Sequence, residues 1–118
     1  MNHLKNKVQL IGHLGANPEI IKLKSGKSCA KLLIATKDVY KSERGEVFKE
    51  TQWHQVIAWE GKAKIAEYYL TTGDQVCIEG RINSLNYTDK QGIKRNRTEV
   101  ICQKLVLIHS KSKIKKAA

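Results

Sequence analysis

The chain has 118 residues, enough for one domain with its own core, and 41% of them are hydrophobic against 28% charged, a globular balance rather than a disordered one. Lys and Arg number 22 against 11 acids, a formal charge of +11, which points to a polyanionic partner, nucleic acid before an anionic membrane surface. The dispersed cysteines, Cys29, Cys77 and Cys102, form no Cys-x-x-Cys pair; they argue against a disulfide framework or zinc ribbon and read as buried thiols of a reducing cytoplasm.

The first strand is expected over Asn6–Leu14, ending at the breakers Gly15-Ala16-Asn17-Pro18. A short extended piece, Glu19–Leu23, leads to a turn at Lys24-Ser25-Gly26-Lys27, and the second strand is Ser28–Thr36. Lys37–Lys49 reads as a charged hairpin turning at Arg44-Gly45. The third strand, Thr51–Trp59, holds both tryptophans. Strand alternation puts Trp53, Gln55, Ile57 and Trp59 on one side and His54, Val56 and Ala58 on the other. The two indoles are then roughly 20 Å apart, and this stretch alone leaves open whether they are core aromatics or separate stacking platforms.

The period then changes. Glu60–Leu70 reads as an amphipathic helix with Ile65, Ala66, Tyr69 and Leu70 on its apolar side, and Gly73 as a left-handed cap. A fourth strand follows at Asp74–Ile82, a second hairpin at Asn83–Asn96 turning at Asp89-Lys90-Gln91-Gly92, and a fifth strand at Arg97–His109. Residues 1–109 are expected to form one domain and 110–118 a basic, disordered tail. Three strands, one helix and two strands is the element order of an OB-fold, a five-stranded Greek-key barrel with a helix between strands three and four.

Binding unpaired nucleic acid takes flat rings for the bases and cations for the phosphates. The candidate rings are Tyr40, Trp53, Trp59 and Tyr87. The candidate phosphate contacts are Lys7, Lys37, Lys41, Arg44, Lys49, Lys62, Arg81, Lys94, Arg95 and Arg97. Stacking tolerates any base, so binding without sequence preference is expected. No nucleophile with an identifiable base, no phosphate-cradling glycine motif and no histidine cluster at ligand spacing is present, so neither enzyme activity, metal nor cofactor is expected.

The motifs Asn6–Gly15 with Asn17-Pro18-Glu19, Ile34-Ala35-Thr36, Thr51-Gln52-Trp53-His54, Ala66–Leu70 with Gly73–Val76, Ile78-Glu79-Gly80, and Tyr87-Thr88-Asp89 with Gly92 and Thr98-Glu99-Val100 resemble the bacterial single-stranded DNA-binding protein family over about residues 4 to 108. The resemblance implies an OB-fold protomer, usually a homotetramer, that coats single-stranded DNA in replication, recombination and repair. It places base stacking at Tyr40, Trp53, Trp59 and Tyr87, with Tyr at two places where members often have Trp. It places phosphate contacts at Lys7, Lys62 and Arg95 and less directly at Lys49, and puts His54 near a subunit interface. Ile21, Gln55, Leu85 and Asn86 stand where members commonly carry Arg or Lys, while Lys22, Lys24, Lys27, Lys31 and the tail carry the charge instead. The residues end at the basic Lys115-Lys116-Ala117-Ala118 rather than the family's acidic tip, so recruitment of replication or repair proteins through such a tip is not carried over. A primosome-type accessory or an RNA-binding module on the same barrel is the alternative.

Overall fold

The computed structural model describes residues 5–110; the expected basic tail, apart from Ser110, lies outside them. Six strands and one helix follow in the order β1 Val8–Leu14, β2 Glu19–Lys22, β3 Ser28–Lys41, β4 Val47–Trp59, α1 Gly61–Tyr69, β5 Gln75–Thr88 and β6 Lys94–His109. They form one sheet ordered β1-β5-β6-β4-β3-β2, and a further β1–β3 pairing closes β1, β5, β6, β4 and β3 into a five-stranded barrel. Closure removes the exposed edges that an open sheet would offer to other chains. β2 lies outside the ring. It pairs Glu19–Lys22 with Ser28–Lys31, and β1 takes over the same edge of β3 at Ile34 and Ala35. Counting β2 as a strand puts the helix between β4 and β5.

The closing contacts need backbone to approach backbone. A Cβ on Gly12 would collide with the Ala35 carbonyl, and one on Gly80 with the Ile101 carbonyl. Gly80 also borders the register shift where β6 gains an extra residue against β5, which bends the strand around the barrel. Inside, Leu32, Ile34, Val56, Val76, Ile78 and Leu70 are almost fully buried. Burial of each such side chain is worth about 1.5–3 kcal/mol.

Three expectations change. The strands of both hairpins run further than the apolar pattern suggests: β3 continues to Lys41 rather than Thr36, and β5 to Thr88 rather than Ile82. These arms are two-sided and exposed, so cross-strand pairing holds them without an apolar face to announce it. The helix buries Ala63, Ala66 and Leu70, not Ile65 and Tyr69, which stay about 40% exposed. The helix packs against β3, β4 and β6 through its alanines, which allow a close approach that larger side chains would block. Gly73 has a positive φ of 92° but caps no helix. The helix ends at Leu70 in an extended conformation, and Gly73 belongs to the following turn, its N–H donating to the Leu14 carbonyl at 2.8 Å.

Candidate nucleic-acid interface

The register of β3 and β4 sorts their side chains without interruption from Cys29↔Trp59 to Lys41↔Val47. Facing pairs lie on the same side of the ribbon and successive pairs on opposite sides. One side turns Leu32, Ile34, Val56 and Ala58 into the core. The other, outer side carries Cys29, Lys31, Leu33, Ala35, Lys37, Val39 and Lys41 from β3, and Val47, Lys49, Thr51, Trp53, Gln55, Ile57 and Trp59 from β4. This strip spans roughly 40 Å at the usual strand rise. It holds Trp53, Trp59 and four lysines, and neither strand contributes an acid to it.

All four candidate rings are too open for core positions: Tyr40 is 51% exposed, Trp53 57%, Trp59 36% and Tyr87 46%. Trp53 is nevertheless held. Its six-membered ring lies over Gly15, where an added Cβ would strike the ring carbons. A glycine at the β1 exit thus gives the indole a flat seat. Trp53 also borders a depression of about 320 Å³ with Ile82, Thr98 and Val100 of the β5–β6 ribbon.

Tyr40 does not share the Trp53 side. It faces Phe48 across the ribbon, and the two rings stack with centroids 5.4 Å apart and 23° between planes. Their side of the arm also carries Asp38 opposite Glu50, and Gln52 donates a 2.8 Å hydrogen bond to the Glu50 carboxylate. Lys37, Lys41 and Lys49 are on the Trp53 side instead, and Arg44 is exposed in the turn. The β3–β4 arm therefore separates its cations from its Tyr40–Phe48 pair.

The β5–β6 arm mixes them. Arg81, Leu85, Tyr87, Arg95 and Arg97 share one side by register. The Arg97 guanidinium sits over the Tyr87 ring, 5.7 Å from its centroid, a cation–π contact. Two of these arginines face carboxylates. Arg95 Nε donates to Asp89 at 2.9 Å, and Arg97 Nε lies 3.8 Å from the buried Glu99. The Arg95 hydrogen bond, with backbone N–H donors from Ile93 and Gln91, holds the Asp89 carboxyl below its ordinary range. Those bonds and a positive φ at Gly92 shape the turn. Lys94 falls on the opposite side of this arm.

The remaining candidates are apart from both arms. Lys7 lies on the β1–β5 side, paired with Glu79 at 3.3 Å. Lys62, half-buried in the first turn of α1, acts on the Cys102 thiol, which burial pushes up to about 11 against the opposing pull of that lysine. His54 is half-buried, its Nε2 2.9 Å from Thr36 Oγ1. Sequence reasoning left Phe48, Lys31 and Gly15 out of the site. Strand register would have found the first two once the arms were known to stay paired; nothing in the sequence marks Gly15 as the seat of an indole 38 residues away.

A closed five-stranded barrel with one helix after its β4 strand, an aromatic outer strip and two projecting hairpins defines an OB-fold of the kind that binds oligonucleotides. The family model for the single-strand binding protein family matches residues 5–108, and the chain belongs to that family. It is 39% identical over 107 residues to "Single-stranded DNA-binding protein 1" of Chlorobaculum tepidum, covering 90% of this chain and 66% of that protein. It is 37% identical to the protein of the same name from Xylella fastidiosa, covering 90% of this chain and 79% of that protein. Among solved structures, the Plasmodium falciparum SSB in its complex with ssDNA shares the fold at a TM-score of 0.82 and 24% identity, over 92% of this chain and 99% of that one. A deletion mutant of the Thermus aquaticus single-stranded DNA binding protein does so at 0.79 and 24%, over 90% and 51%. No helix among the described residues is long and apolar enough to cross a membrane.

Proposed function

We propose that this protein binds single-stranded DNA without sequence preference and protects it during replication, recombination and repair. The observation that carries this reading is the outer side of β3–β4: two open indoles on a strip with lysines and no acid from either strand. Bases stack on Trp53 and Trp59, and Lys37, Lys41 and Lys49 meet phosphates. The β5–β6 arm adds Tyr87 with Arg81, Arg95 and Arg97, and Arg44, Lys62 and Lys94 contribute from outside these two strips. Tyr40 stacks on a base only from the free face of its pair with Phe48. Lys7, turned toward Glu79, contributes least.

Coating a strand is a binding task, and no catalytic step is assigned. A bacterial protein of this kind works in the cytoplasm at the nucleoid. It assembles as a homotetramer, with a dimer as the smaller alternative, and the half-buried His54 faces a neighbouring subunit. Family membership supports the assembly, and light scattering at micromolar concentration tests it: a mass of one protomer would contradict it. The binding test is titration with oligo-dT, the matching oligo-rU and a duplex at low salt, following tryptophan emission and a band shift. Quenching and a shift with oligo-dT, far exceeding the duplex, are expected. Tighter binding of oligo-rU would turn the reading to an RNA-binding module, and no binding to either single strand would contradict it.

A further inference from the structure

We propose that the strand's path does not end at Trp59 but continues over the β2–β3 turn, where Lys31, Lys27 and Lys24 form a phosphate rail. This inference rests on the single-strand reading above and extends the site to residues outside its candidate set.

Register places the rail. Lys31 faces Ile57 on the outer side of β3–β4, between the levels of Trp53 and Trp59. A depression of about 220 Å³ beside it is lined by Lys31, Leu33, Gln55 and Glu19, among others. Trp59 faces Cys29, whose β2 partner is Ile21; the next pair, Ser28 with Lys22, turns to the opposite side, and the chain passes from there into the turn that carries Lys24 and Lys27. The Ser28 carbonyl also accepts from the Glu60 N–H at 3.0 Å. The end of β4 and the start of the hairpin are thereby locked side by side, with Trp59 at their junction. The turn itself is closed by Leu23 N–H to the Lys27 carbonyl at 2.8 Å and Gly26 N–H to the Leu23 carbonyl at 3.0 Å. Gly26 takes the positive φ of 89° that such a closure needs.

The charge is uncommitted. Lys24 and Lys27 are exposed and Lys31 half-buried, and among the described residues no ion pair engages any of them. Two carboxylates border the group: Glu19, the β2 partner of Lys31, and Glu60, whose N–H is bonded to the Ser28 carbonyl. By contrast Lys7, Arg95 and Arg97 each have a carboxylate within 4 Å. A strand leaving Trp59 therefore meets lysines whose charge is available to phosphate, on a backbone that needs no ordering to present them.

Salt dependence counts phosphates directly, because each one neutralised on a single strand adds about 0.7 to the log–log slope of affinity against salt. In the full chain, Lys24→Gln/Lys27→Gln is expected to lower the oligo-dT slope by about 1.4, and Lys31→Gln alone by about 0.7. The control Lys64→Gln/Lys104→Gln removes the same charge from elsewhere and is expected to keep the slope. An unchanged slope in the turn variant, or an equal fall in the control, would overturn the rail while leaving the wild-type binding in place. Absence of oligo-dT binding by the wild type would instead overturn the underlying reading.

Discussion

The two hairpin arms leave the same barrel with similar composition and are built on different plans. The β3–β4 arm sorts its side chains: lysines with Trp53 on one side, Tyr40 and Phe48 with Asp38 and Glu50 on the other. The β5–β6 arm puts ring and guanidinium together, Arg97 over Tyr87, and sets Asp89 and Glu99 against its arginines. Bound phosphate must compete with those carboxylates, while on the Trp53 side of β3–β4 it meets no acid from either strand. Counting Lys and Arg per hairpin conceals this difference, because side rather than number decides which charges a single strand can reach.

The largest expected effect tests the sorting. Base–aromatic stacking on barrels of this family is worth about 1–3 kcal/mol per base. Trp53→Ala should therefore weaken oligo-dT binding by that amount in equilibrium titration, while Tyr40→Ala, on the acidic side, costs well under 1 kcal/mol. Equal losses would mean that the strand crosses both sides of the arm. Next, Lys37→Gln/Lys49→Gln should lower the salt slope by about 1.4, and Arg95→Gln/Arg97→Gln by less, because their removal also frees Asp89 and Glu99 from partners.

Smaller effects concern the frame. Gly15→Ala should lift the indole from its seat, blue- or red-shifting Trp53 emission and weakening binding less than Trp53→Ala does. Glu60, at φ 55° and ψ −117° between β4 and α1, holds a conformation that costs a non-glycine residue of order 1–3 kcal/mol. Glu60→Gly should raise unfolding stability by about 1 kcal/mol after the backbone entropy of glycine is deducted, read by urea denaturation.

The smallest effect is one of pH. The Asp89 pKa is lowered in the fold, so its contribution is present above the ordinary carboxyl value of 3.8 and is lost as pH falls through the folded value. Amides of the β5–β6 turn should lose exchange protection below about pH 4, while those of the β3–β4 turn hold theirs relative to it.

The barrel was legible in the sequence because buried strands announce themselves: Leu32, Ile34, Val56, Val76 and Ile78 alternate with outward residues, and Gly and Pro mark the turns. The arms were legible as charged hairpins but not as sorted ribbons. Their sides follow from an unbroken register between Lys41 and Cys29, which exposed polar residues do not encode through any apolar pattern. The helix misled because its largest apolar side chains, Ile65 and Tyr69, are turned outward while two alanines take the contact. The candidate rings were found by type, and all four are exposed. That Tyr40 is spent partly on Phe48, and that Trp53 needs Gly15, are packing facts between residues distant in the chain.

The central claim is that single-stranded DNA lies along the Trp53 side of β3–β4. Ultraviolet crosslinking of oligo-dT to the intact chain, followed by mass spectrometry of the crosslinked peptides, tests it most directly. Adducts at Trp53 and Trp59 and on peptides spanning Ser28–Lys41, lost in excess unlabelled oligo-dT, are expected. Adducts confined to the β1–β5 side around Lys7 and Glu79, with Trp53 and Trp59 unmodified, would contradict it.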